Sequence, residues 1–186
     1  MNKPELREFF DEYLQEAFAL ELIDYKLLEA VGKESKIDIN VKECGKPKAV
    51  SGIGIGLLDS AYNALFGNYR ENFVSLKDLV LHDAYFQIDH KAAILKSNMK
   101  LKIQFVNSRG RITDFACKES SVGLIGVSAL VNALEFYINC ELLFKRMRFL
   151  DKEATDRGRS DVASRYKYVL GQVVEVASYK TVAQDN

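Results

Sequence analysis

The 186-residue chain is predicted to be an α+β protein: two repeated βββα units forming two layers, with extra N- and C-terminal helices. Three observations predict this. Residues 36–42 and 100–105 alternate apolar and polar side chains strictly, the mark of a strand with one wet face. Each belongs to a trio of strand-like runs that leads into a helical run. Short strings also match between the halves: Ile39-Asn40-Val41 ahead of Gly45 with Ile103-Gln104-Phe105 ahead of Gly110, and Asn63-Ala64-Leu65 with Asn132-Ala133-Leu134. From turn glycine to Asn-Ala-Leu the separation is 18 residues (45 to 63) against 22 (110 to 132), so the duplication is diverged. Two unrelated β-rich units with coincident matches stay open as the alternative.

The elements follow in order. Over residues 4–20, Leu6, Phe9, Phe10, Tyr13, Leu14 and Phe18 recur at helical spacing. Asn2 can cap this helix, and Pro4 suits a first turn where a missing N–H costs nothing. Glu5, Glu8, Asp11 and Glu12 lie towards the positive end of its dipole. An apolar run over 22–31 ends at Gly32, the alternating strand 36–42 follows, and Gly45, Lys46 and Pro47 form a turn. A third run, 49–53, passes through Gly52, Gly54 and Gly56 into a helix over 57–66, which Gly67-Asn68 should stop. In the second unit, residues 79–88 place Val80, His82, Ala84, Phe86 and Ile88 on one face. Strand 100–105 reaches a hairpin turn at Asn107-Ser108-Arg109-Gly110, and 112–117 is the third strand. Ser120-Ser121 can cap a helix over 122–150. Residues 151–160 read as a polar linker. Val162, Tyr166, Val169, Leu170 and Val173 fit a last amphipathic helix, and the tail from 178 should fray. The expected division is a terminal helix (1–20), a domain of two units (21–70 and 74–150), and a linker with a C-terminal helix (151–186).

Composition excludes several classes. The 26 basic and 26 acidic side chains cancel, which gives no electrostatic reason to seek nucleic acid or anionic membrane. The longest stretch free of Asp, Glu, Lys and Arg, 120–134, is shorter than the ~20 residues of a membrane span. Cys44, Cys117 and Cys140 are odd in number and lack metal spacing, so reduced thiols are expected. With no signal-peptide pattern at the start, a soluble cytoplasmic protein is expected. Residues 122–134 are apolar or small almost all round, which predicts a helix buried on more than one side. A two-layer unit covers only one side of its helix. Its other side needs the first helix, the terminal helices or a second subunit, and a second subunit in a two-fold homodimer is expected as part of that cover.

No catalytic constellation emerges. The glycines at 52, 54 and 56 precede a helix, so backbone can approach a ligand there and first-turn N–H groups can face a carboxylate or phosphate. No Gly-Lys-Ser/Thr follows, and Asp59 stands where a GxGxxG motif, counted from Gly54, needs its third glycine. A tight strand-to-helix corner explains the same glycines equally well. His82 and His90 lie eight residues apart on one strand-like run, ~26 Å along an extended chain, too far to share a metal. No serine lies in a GxSxG elbow, Cys117 and Cys140 sit in apolar sequence, and Asp11/Glu12 lie on a polar helical face. No metal and no cofactor is expected.

The string Gly54-Ile55-Gly56-Leu57-Leu58-Asp59-Ser60-Ala61-Tyr62-Asn63-Ala64-Leu65 resembles the Gly-x-Gly-Pro-[Val/Leu]-Asp-Ala stretch, with its Ala-Leu ending, of the C-terminal regulatory domain of 2-isopropylmalate synthases and citramalate synthases. Residues 127–134 look like the second-unit helix of that domain, and residues 74–78 resemble the segment that opens its second unit. The resemblance spans roughly residues 25–139 and agrees with the repeat. It implies a homodimer that binds leucine or isoleucine between units at the dimer interface. Carried over by position, the implied effector contacts are Gly54, Gly56, Leu58 and Asp59, then Leu76, Leu79, Ser120, Ser121, Val122 and Gly123. Leu57 replaces the family's proline, and the stretch between 78 and 100 is longer than usual. The family's catalytic barrel, with its Asp, His-x-His and Asn metal ligands, has no counterpart here. The chain is therefore expected to be non-catalytic, with a separate synthase subunit as a partner. The alternatives are a structural interaction dimer without an effector, or a phosphate-ligand binder using the 52–56 loop.

Overall fold

The two alternating segments become the central strands of two three-stranded antiparallel sheets. A computed structural model describes residues 3–88, 99–119 and 121–177. Its first unit comprises β1 (Leu20–Leu28), β2 (Ser35–Glu43), β3 (Lys46–Gly54) and α2 (Gly56–Tyr69). A short 3-10 turn (Val74–Asp78) leads to the second, β4 (Val80–Ile88), β5 (Met99–Val106), β6 (Ile112–Glu119) and α3 (Val122–Asp156). Helices α1 (Lys3–Tyr13) and α4 (Ser160–Val176) flank them. Asn2, His90, Ser120 and the tail from 178, each given a role above, lie outside the described residues.

Register supports the duplication. Opposite Val41 and Asn40, β1 carries one extra residue, Ile23, between Leu22 and Asp24. Opposite Phe105 and Gln104, β4 carries one extra residue, His82, between Leu81 and Asp83. Both bulges thus face the matching strings that suggested the repeat. A bulge shifts the inward phase by one residue. Leu22, Tyr25 and Leu27 therefore pack on the core from β1, and Leu81 and Ala84 from β4. Val80, 55% exposed, and His82 fall on the solvent side, so the expected single face from Val80 to Ile88 breaks at the bulge.

Four boundaries differ from expectation, each for a physical reason. The first helix ends at Tyr13, because the chain beyond it is tied to α3. Asn139 accepts from the Phe18 N–H and donates to its carbonyl, both at 2.8 Å, and Glu135 accepts from the Leu20 N–H at 2.8 Å. The first hairpin turns on Cys44 (φ 46°) and Gly45 (φ 82°), with Glu43 opposite Lys46. Positive φ at both central residues matches the twist of the flanking strands. Pro47 then belongs to β3, an edge strand, where a missing N–H is tolerated. Helix α2 runs through Gly67-Asn68, since the Asn68 amide folds back onto the Ala64 carbonyl at 2.7 Å and Tyr69 is buried. The expected linker 151–160 is mostly helix: α3 continues to Asp156, and the break narrows to residues 157–159 around Gly158 (φ 68°).

Tyr69 locks the end of α2 to the first sheet. Its hydroxyl donates to Glu43 at 2.6 Å, Lys48 donates to the same carboxylate at 2.7 Å, and the Lys48 ammonium lies 4.0 Å from the Tyr69 ring centre. Burial opposes the Glu43 charge, yet the bonds from Lys48 and Tyr69 hold its pKa below the ordinary carboxylate range. A depressed carboxylate stabilises the fold above its unfolded pKa, and that stability is lost as pH falls through the folded pKa. Tyr69→Phe is expected to cost about 1 kcal/mol at pH 7 and to flatten the loss of Tm towards pH 3. Thermal denaturation at both pH values checks this; an unchanged pH profile would refute the linkage.

The core between the sheets and helices is built by Ile37, Ile39 and Val41 from β2, and by Leu101, Ile103 and Phe105 from β5, all 0% exposed. Helix α3 packs on β1, β5, β6, α2, α1 and α4. Most of its apolar surface is therefore met from within the chain, while Val122 at its start stays 50% exposed. By length and composition α3 alone among the described helices could cross a membrane, but 67% of its apolar window is buried in the fold, as befits a core helix.

Candidate functional site

The Gly-Ile-Gly-Ile-Gly run at the end of β3 divides its residues by face. Gly52 and Gly54 face α2: a Cβ on Gly52 would overlap the backbone of Ser60 and Ala64, and one on Gly54 would lie 2.6 Å from the Ser60 nitrogen. Ile53 and Ile55 face away, 56% and 86% exposed. Gly56 has φ 74° and open space at its Cβ position, so conformation rather than packing requires that glycine.

The first turn of α2 is capped from inside. Asp59 accepts the Ile55 N–H at 2.8 Å, and the Ser60 hydroxyl donates to the Gly56 carbonyl at 2.7 Å. The Asp59 carboxylate therefore already stands at the positive end of the helix. Its negative charge opposes a phosphate at this turn, whereas a zwitterion offers an ammonium to meet it.

Helices α2 and α3 run in the same sense. At their starts, Leu57 and Leu58 reach towards Gly126, whose Cβ position lies 3.3 and 3.1 Å from their methyl groups. At the far end, Phe18 meets both Tyr69, with ring centres 6.0 Å apart, and Asn139. Both helix N-termini thus come to one end of the fold. Tyr25 closes that end from β1, its hydroxyl seated where a Gly123 side chain would stand. Ser121 caps α3 by accepting the Leu124 N–H at 3.5 Å.

Of the expected effector contacts, Gly54, Gly56, Leu58, Asp59, Ser121, Val122 and Gly123 gather at this end. Ser120 lies outside the described residues. Leu76 and Leu79 do not join them: both are 0% exposed and present no surface to a ligand. The Tyr62 hydroxyl donates to the Leu79 carbonyl at 2.7 Å and holds that strand entry against α2.

Sequence reasoning missed Tyr25, Ile53 and Ile55. The two isoleucines were readable, since residues alternating with helix-facing glycines must point outwards. Tyr25 was not, because the bulge at Ile23 breaks the alternation that would have placed it. Leu28, Lys36 and Ile53 are register neighbours across the first sheet, and Leu28 is 51% exposed. Ile55 at 86% and Val122 at 50% are likewise exposed, beside the starts of α2 and α3.

No group of three or more His, Cys, Asp or Glu side chains is placed to hold a metal among the described residues. Burial pushes the thiols of Cys117 and Cys140 up, away from nucleophilic thiolates. No protein-family model and no curated protein matches this chain.

Proposed function

We propose that the chain is a non-catalytic regulatory and dimerisation module of the kind that the resemblance to 2-isopropylmalate synthases implies, acting in the cytoplasm. One observation carries this: the starts of α2 and α3 lie side by side, and the apolar side chains of Ile53, Ile55 and Val122 are exposed beside them. First-turn amides lack intrahelical partners and suit a carboxylate. Asp59 suits an ammonium, and Leu57 and Leu58 offer an aliphatic wall. Together these fit an α-amino acid with a branched side chain, leucine or isoleucine. The exposed isoleucines fit a second copy of the chain closing over it, and a separate synthase chain is the natural recipient of the regulation. A second reading, a structural dimer without effector, draws on Gly52 and Gly54, whose lack of a side chain close packing alone explains.

Thermal denaturation with leucine, isoleucine and valine tests the first reading. At a hundredfold the dissociation constant, a true effector should stabilise the fold by about 2.7 kcal/mol. Asp59→Asn should weaken that gain. No shift with any of the three removes the effector and leaves the structural dimer. Light scattering that shows a monomer at micromolar concentration removes both.

A further inference from the structure

We propose that the cleft at the β6 edge of the second sheet, between that sheet, α1 and α3, binds a small polyanion bearing phosphate or several carboxylates. A cleft of about 530 Å3 opens there, lined among others by Arg7 of α1, Lys100 and Lys102 of β5, Asp114 of β6 and Asn132 of α3. It lies two to three turns along α3 from the paired helix starts and does not depend on the reading given for them.

Register gathers lysines at one end of this sheet's outer face, beyond the row Asp83–Gln104–Asp114 that carries its carboxylates. Lys100 stands directly opposite Lys118, and Lys102, two residues along β5, faces the same way. Like charges directly opposite one another destabilise a sheet. Asp114 is the nearby counter-charge, but it is engaged by Lys102 at 2.8 Å and accepts from Gln104 at 2.7 Å. Arg7, Lys100 and Lys118 have no ion-pair partner among the described residues.

The repeat supplies an internal control. On the first sheet the row equivalent to Gln87–Lys100–Lys118 is Leu28–Lys36–Ile53, with a single cation. There Lys36 lies 3.8 Å from Asp38, and Lys42 lies 3.6 Å from Glu21. The matching asparagines differ as well. Asn63 gives its amide to the Ile53 carbonyl at 2.9 Å, whereas Asn132 makes no hydrogen bond among the described residues and lines the cleft. One copy of the unit neutralises its outer face. The other collects three lysines, adds Arg7 from a helix outside the repeat, and leaves an amide free beside them. An anion with several oxygens suits the groups that line the cleft, Arg7, Lys100, Lys102 and Asn132, with bidentate geometry available from Arg7 and Lys118 adding charge from the neighbouring strand.

Calorimetric titration with pyrophosphate and with citrate at low ionic strength tests the site. Saturable one-to-one binding is expected, weakening with added salt. The double variant Arg7→Gln, Lys100→Gln should bind at least tenfold more weakly, and Lys42→Gln on the first sheet should bind like the wild type. All three side chains are exposed, and circular dichroism verifies that the variants fold. Preference for pyrophosphate supports the site and identifies a phosphorylated ligand; preference for citrate supports it and identifies a polycarboxylate. The site is refuted if neither anion saturates, or if the double variant binds as tightly as the wild type. A single-stranded oligonucleotide that displaces both anions at lower concentration would overturn the small-molecule assignment.

Discussion

Gly52→Ala should destabilise the protein by about 3 kcal/mol, through overpacking against backbone that cannot move aside. Position 52 faces the second turn of α2, and the added methyl would overlap the Ser60 carbonyl and the Ala64 nitrogen, with the Ala64 Cα at 2.8 Å. These are main-chain atoms of a helix, so relief requires α2 to lift from β3. Lifting it would also loosen Leu65 and Phe66, both 0% exposed, from the core. For a chain of this size the loss corresponds to a fall in Tm of roughly 6–12 °C. Gly67 is the control. It lies in the same helix with nothing within 4 Å of its Cβ position, so Gly67→Ala should instead stabilise by about 0.5–1 kcal/mol. Urea denaturation of the two variants checks both signs. Wild-type stability in Gly52→Ala would show that α2 does not dock on β3 in this way.

That contrast also bears on function. Valine at position 54 would meet the Ser60 nitrogen at 2.6 Å from its first side-chain carbon, so a loss of ligand binding there would report unfolding as readily as a damaged site. Asp59→Asn is the cleaner probe, because its carboxylate is exposed and, among the described residues, its hydrogen bond is to the Ile55 N–H.

The units were legible where side-chain period is the whole signal. The strands around Ile39 and Ile103 pair in the expected phase because their outward residues are polar and their inward ones apolar. Boundaries set by distant contacts were not legible. Nothing near Phe18 in the sequence announces that Asn139 will take both its backbone groups, and nothing near Gly67 announces that burial of Tyr69 will carry the helix past it. The bulges hid Tyr25 and misplaced His82 for the same reason: one inserted residue inverts every later face. At the candidate site the glycines were found, but their purpose was only half seen. Gly52 and Gly54 serve helix packing, and the exposed surface at that corner belongs to Ile53 and Ile55. Leu76 and Leu79 were carried over by position into a segment that the fold buries.

Whether the two units behave as one body turns on Phe105. It belongs to β5 of the second unit, yet its ring lies 6.2 Å from Tyr62 and 5.2 Å from Phe66, both on α2 of the first. Within its own unit it meets Phe115 at 5.8 Å and Tyr137 at 5.6 Å. At 0% exposure, between rings from three other elements, it has no flexible neighbour to fill its place. Phe105→Ala should therefore cost about 3–5 kcal/mol, the range for a buried aromatic that leaves a cavity. The form of the transition carries more information than its midpoint. If the units share one core, the variant unfolds in a single step that fluorescence and circular dichroism report together, at a lower denaturant concentration. If they are separate, two steps appear and only the second unit's step moves. Truncating Val41, the residue equivalent to Phe105 in the repeat, sharpens the comparison. In a shared core, Val41→Ala must shift the same single transition, by a smaller amount because fewer buried atoms are lost.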